Sequence, residues 1–239
     1  MQRREVLTSI AMLAAAGTLP TAKAAIIRGQ APWAPESTQP PEPFKAGGLT
    51  FFTAEEATAI GAIADRLIPA DELSIGATEA GCVGFIDQQL AGPFGSAGTQ
   101  YREGPFLEGT PQQGPQFKQT PAERYRMALT ALAQYCTGHE KKTFAELAPE
   151  RQDTLLTLLE AGTLPLPGMN TASIAGFFNL VLQNVREGYF ADPMYGGNKG
   201  MAGWKLLGFP GAQYDFRDVI GKRGQKLDII PVSMVQHDT

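Results

Sequence analysis

Apolar positions along the chain recur at helical spacing, and no alternating stretch of strand length occurs. Ile60, Ile63, Ala64, Leu67 and Ile68 lie on one face of a predicted helix. Thr53 and Glu56 have the spacing of a capping box at its start, and Pro69 stops it. A second helix is predicted from a Thr78 cap to about Ala91, with Val83, Phe85, Ile86 and Leu90 apolar; Gly81 and Gly84 argue against it. Residues 92–121 hold six glycines and five prolines and read as a long irregular excursion. Thr120-Pro121-Ala122-Glu123 then opens a helix that turns Tyr125, Leu129, Leu132 and Tyr135 inward. A short element around Phe144–Leu147 follows. Pro149 starts a leucine-rich helix that Gly162 ends, and Asn170 or Thr171 caps one running through Phe177, Phe178, Leu180, Val181 and Val185. The pattern predicts an all-α fold of about five main helices with long Gly/Pro-rich loops.

The first 24 residues carry no such pattern. Arg3 and Arg4 precede a modest apolar stretch, Val6 to Leu19, and Ala22-Lys23-Ala24 supplies a small-x-small cleavage site. This reads as a twin-arginine (Tat) export signal, with an ordinary Sec signal as the competing reading. Residues 25–49, with five prolines and no periodicity, read as an arm or linker. The expected organisation is thus signal 1–24, arm 25–49, helical domain 50–218 and C-terminal tail 219–239. A net charge of −4, about −6 once the signal is removed, offers no basic face for nucleic acid. No run of roughly 18 apolar residues would span a bilayer.

Little in the sequence promises chemistry. There is no Gly-x-Gly-x-x-Gly fingerprint and no Cys-x-x-Cys-His haem attachment. Gly196-Gly197-Asn198-Lys199-Gly200 is glycine-rich but follows no predicted strand. His139 and His237 are far apart, His139-Glu140 reads as a solvated helix end, and Asp192 and Asp215 have no evident partner. No catalytic, cofactor-binding or metal-ligating residue is therefore expected in this chain. Cys82 and Cys136 are compatible with buried thiols, with one internal disulfide, or with a bridge to another chain.

The informative segment is 188–211, GYFADPMYGGNKGMAGWKLLGFPG. Seven of its 24 residues are glycine and five are aromatic. Glycines let backbones approach closely, and aromatics supply rigid contact area to a core or to an interface. The run Gly188 to Lys199, with Gly203-Trp204 and Leu207-Gly208-Phe209-Pro210-Gly211, resembles the gluconate 2-dehydrogenase subunit 3 family. The Phe51–Pro69 and Pro149–Leu159 helices resemble that family's blocks as well, so the likeness covers most of residues 50–216. The resemblance implies a non-catalytic small subunit of an acceptor-linked sugar or sugar-acid dehydrogenase. FAD is then carried by a GMC-type catalytic subunit and haem c by a membrane-bound multihaem cytochrome. The small subunit is expected to escort the flavoprotein through Tat export to the periplasmic face. Tyr189, Phe190, Asp192, Met194, Tyr195, Trp204 and Phe209 are the candidate partner contacts. Removing 188–211 is expected to leave a helical domain that no longer holds its partner. The alternative is an independent periplasmic sugar-binding protein or enzyme with an aromatic-lined pocket.

Overall fold

The computed structural model describes residues 47–107, 109, 110, 113, 117–213, 215–225, 227 and 229–234. The predicted signal with Arg3 and Arg4, the arm up to residue 46, and His237 lie outside the described residues. Six α-helices are described: α1 Ala54–Leu67, α2 Cys82–Ala91, α3 Pro121–Tyr135, α4 Pro149–Glu160, α5 Thr171–Phe190 and the short α6 Ala202–Leu207. The chain is all-α among the described residues, where strand-like pairing is limited to one isolated bridge between Gly211 and Val232.

Local chemistry fixes the helix starts. Thr53 with Glu56, and Thr120 with Glu123, form reciprocal capping boxes before α1 and α3, and Pro149 sits in the first turn of α4. Asn170 caps α5 by accepting from the Ser173 amide at 2.9 Å. Gly162, just past α4, has a left-handed φ of 69°.

Two helices differ from the sequence expectation. The second begins at Cys82 rather than after Thr78, because Thr78 is otherwise engaged. Its amide donates to Asp65 and its hydroxyl to the Gly61 carbonyl, pinning the turn to α1. The helix starts instead from Gly81, whose φ of 88° suits only glycine; a Cβ there would also lie 2.9 Å from the Gly196 carbonyl oxygen. The last long helix continues through Phe190, so Gly188, Tyr189 and Phe190 are helical, and a further helix, α6, lies in the stretch read as loop.

Helix α5 is the central element and packs against α1, α2, α3 and α4. One continuous core results, including Ile60 and Ile63 of α1, Ile86 and Leu90 of α2, Leu132 of α3, Leu155 and Leu159 of α4, and Phe177, Val181 and Val185 of α5. Burial at this density is the main stabilising term. A row of tilted and edge-on rings, Phe52, Tyr125 and Phe177, runs from the chain's entry through α3 to α5 at centroid spacings of 5.9 and 5.6 Å.

The entry itself is clamped. Asp87, 2% exposed on α2, accepts from the amides of Thr50, Phe51 and Phe52 at 2.8, 3.0 and 2.8 Å. Three charge-assisted bonds satisfy a buried carboxylate that would otherwise be costly. Arg126 of α3 backs the clamp. Its guanidinium lies 4.2 Å from the Phe51 ring centroid and donates to the Phe51 carbonyl and the Glu56 carboxylate. Thr50, Phe51 and Phe52 are thereby fastened to α2 and α3.

Candidate partner interface

The glycine-aromatic segment grows out of the C-terminal end of α5, and its glycines let backbone lie directly on backbone. A Cβ at Gly188 would come within 2.9 Å of the Phe85 ring, so its absence lets α5 close on α2. Cβ atoms at Gly197 and Gly203 would intrude on the carbonyl oxygens of Gly188 and Tyr189 respectively. Asn198, fully buried with a left-handed φ of 48°, ties the layers together. Its side chain donates to the Ala191 carbonyl and accepts from the Gly203 amide, both at 2.8 Å. Its own amide donates to Gly188, while the next amide, of Lys199, reaches the Ala80 carbonyl before α2.

This scaffold sorts the seven candidate contacts. Tyr189 is fully buried; its hydroxyl donates to the Ile75 carbonyl at 2.6 Å and lies 2.5 Å from the Ser74 hydroxyl. Trp204 is 5% exposed and donates its indole N–H to the Phe190 carbonyl at 2.7 Å. Both belong to the interior, so the reading of these two as partner contacts is corrected. Their partners lie at neighbouring backbone, and aromatics with a satisfied polar tip bury well.

Asp192 is also engaged internally. It accepts from the Met194 amide and the Ser233 hydroxyl through one oxygen, and from the Met234 amide through the other, at 2.9, 2.7 and 2.9 Å. It therefore fastens the returning C-terminal segment, a role invisible without that segment's position. Phe190 and Met194 are half-buried.

Tyr195 (52% exposed) and Phe209 (47% exposed) face outward. Phe209 rests edge-on against Trp204, with ring centroids 5.3 Å apart. Leu206 and Leu207 at the end of α6 are 42% and 65% exposed and join them as surface apolar residues, although sequence reasoning did not single them out as contacts. The detectable signal was the Lys-Leu-Leu run itself: once Trp204 points inward, the following residues must project elsewhere around a short helix. Segment 188–211 is thus not a detachable loop. Its inner face completes the core, and its outer face carries Tyr195, Leu206, Leu207 and Phe209. Tyr101 and Leu107 of the long Gly/Pro-rich excursion are also exposed, at 87% and 70%.

The remaining candidates are quiet chemically. Cys82 and Cys136 are both free and buried. Burial pushes the Cys82 thiol up to about 12 and the Cys136 thiol up to about 11, far from a reactive thiolate. His139 stacks on Tyr135 at 4.4 Å, and Glu140 pairs with Arg151 at 2.6 Å, its pKa lowered chiefly by that hydrogen bond. Asp215 has a partner as well: Arg217 holds its carboxylate down to about 2. Among the described residues, no three His, Cys, Asp or Glu side chains gather to hold a metal. Every buried side-chain nitrogen or oxygen there has a hydrogen-bond partner. An open groove of about 790 Å³ runs along α3, lined by residues including Arg126, Met127, Gln134 and Met169; none of the segment's aromatics lines it.

The sequence model of the gluconate 2-dehydrogenase subunit 3 family matches residues 54–211, from the first residue of α1 to the glycine of the Gly211–Val232 bridge. No curated protein and no solved structure matches the chain. The matched span takes in all six helices and the glycine-aromatic segment that locks α2, α5 and α6 together. With about two thirds of its length matched, the chain belongs to the gluconate 2-dehydrogenase subunit 3 family.

Proposed function

We propose that this chain is the non-catalytic small subunit of a membrane-associated flavoprotein dehydrogenase complex of the gluconate 2-dehydrogenase type. In this reading a GMC-type subunit holds FAD and oxidises the sugar or sugar acid. A membrane-bound multihaem cytochrome c takes the electrons. The small subunit docks on the flavoprotein through Tyr195, Leu206, Leu207 and Phe209, and carries it folded through the Tat route to the periplasm on the strength of Arg3 and Arg4. The family match across the whole helical body is the observation that carries this proposal. The outward-facing apolar residues on the glycine-aromatic segment support the choice of surface.

The test is a tagged pull-down from native membranes, with an absorption spectrum of the eluate. A flavin band accompanying a larger polypeptide is the expected result, and a colourless single chain under gentle detergent would overturn the proposal. Changing Arg3 and Arg4 to Lys in the same strain addresses the escort role. Both this chain and the flavoprotein should then accumulate in the cytoplasm; continued export of the flavoprotein would remove the escort from the proposal.

A further inference from the structure

Charge is unevenly distributed along this acidic chain. Between Lys199 and Lys226 the sequence holds six lysines and arginines against two aspartates, a net of +4 on a chain of net −4, so the remaining residues carry −8. From this stretch the backbone leaves the body at Gly211, and beyond it the chain is paired again at Val232. The Ala212 amide donates to the Val232 carbonyl at 2.7 Å, and the Val232 amide to the Pro210 carbonyl at 3.1 Å. Asp192 fixes the returning limb through Ser233 and Met234. The base of the excursion is therefore pinned at both ends.

Its tip is open at two glycines. At Gly221 and Gly224 no heavy atom lies within 4 Å of where a Cβ would sit. Flanking a short 3-10 turn, Arg217–Val219, and ahead of a turn closed by the Gln225 amide on Lys222, the chain presents Phe216 at 44% and Ile220 at 74% exposure. Lys222 and Arg223 are exposed beside them. Two exposed large apolar side chains with cations adjacent in the chain make little of the roughly 800 Å² that each side of a stable protein interface contributes. They suit the boundary of an anionic bilayer, where apolar groups enter the headgroup layer and cations meet phosphates.

We propose that the 216–225 projection is a peripheral membrane contact, seating Phe216 and Ile220 at an anionic phospholipid surface with Lys222 and Arg223 on the headgroups. It does not depend on the proposed escort role.

Vesicle sedimentation tests it, using the full chain with phosphatidylcholine vesicles containing 0 or 40 mol% phosphatidylglycerol. Every variant keeps the N-terminal segment, so any affinity of that segment is common to all. Binding to the anionic vesicles is expected, weakened by raising salt from about 0.1 to 0.5 M. Each cation near such a surface strengthens binding roughly fivefold, so the double change Lys222→Glu and Arg223→Glu should cost about 30-fold or more. Ile220→Ser should weaken binding even at low salt. Unchanged circular dichroism melting would show that the variants fold, as the open surroundings of the tip lead one to expect. Absence of binding to anionic vesicles, or equal binding by wild type and variants, overturns the proposal. Loss of flavoprotein capture by the charge-reversed chain, without any vesicle binding in the wild type, overturns it in favour of a protein contact.

Discussion

Asp87 is the single side chain on which the start of the fold most depends. Removing its carboxylate would leave three amides unsatisfied at the edge of the core, and each hydrogen bond to a charged group is worth about 1.5–3 kcal/mol. Asp87→Ala should therefore destabilise the protein by about 3 kcal/mol in urea titrations, with some of the gross loss recovered by water reaching Thr50. An effect below about 1 kcal/mol would show that the clamp is dispensable. The two cysteines give an independent check on burial. Thiols held near 12 and 11 are overwhelmingly protonated at pH 8, and the thiolate is the reactive form. A disulfide-exchange reagent at pH 8 should find almost no fast-reacting thiol in the folded chain and two after denaturation in guanidinium. Rapid labelling of either in the native state would contradict the packing of the helix ends that cover them.

At the scale of elements, helices are joined by short ion pairs at their rims. Arg66 of α1 meets Asp153 of α4 at 2.5 Å, and Arg151 of α4 meets Glu140 beyond α3 at 2.6 Å. The hydrogen bond from each arginine is the leading cause that holds its carboxylate below the ordinary value. Such a group contributes stability fully above its unfolded pKa and loses it as pH falls through the lower, folded one. Melting temperature should thus stay level from pH 7 to about 5, then fall as pH drops from about 4 towards 2, the region in which Asp215 also titrates. These groups are all at least partly open to solvent, so the decline should be shallower in high salt.

The same scale explains what could be read from the sequence. Thr53 with Glu56, Thr120 with Glu123, and Asn170 were legible as caps because each bond spans three residues. Asp87 was not, because its partners lie 35 to 37 residues away. The start of α2 was misplaced because Thr78 found a better use against α1 than as a cap. The aromatic segment was legible as a unit, but its division into Tyr189 and Trp204 within and Tyr195 and Phe209 without depends on the direction of each side chain. That direction is set by α2 and α6 packing on the end of α5, not by composition.

Among the described residues, the molecule buries many large apolar residues in one core and exposes others outside it, among them Tyr195, Leu206, Leu207 and Phe209. Leu207→Asp together with Phe209→Ser should leave the melting temperature within a few degrees of wild type, since both side chains are about half or more exposed. The same pair should reduce recovery of the flavoprotein in a pull-down at least tenfold. Undiminished recovery would move the docking surface elsewhere, with exposed Tyr101 and Leu107 as the next positions to change.

If the proposed export draws this subunit through a membrane by its leading end, the Asp87 clamp decides where the tension is felt. A pull on the chain upstream of Gly47 reaches three amides held in parallel by one carboxylate before it reaches the first turn of α1. Arg126 shares the load through the Phe51 carbonyl, so the force passes into α2 and α3 together. Parallel bonds must yield together, whereas a frayed helix end yields one bond at a time. In the proposed export the clamp would act as a cleat, taking the load before the first turn of α1 does.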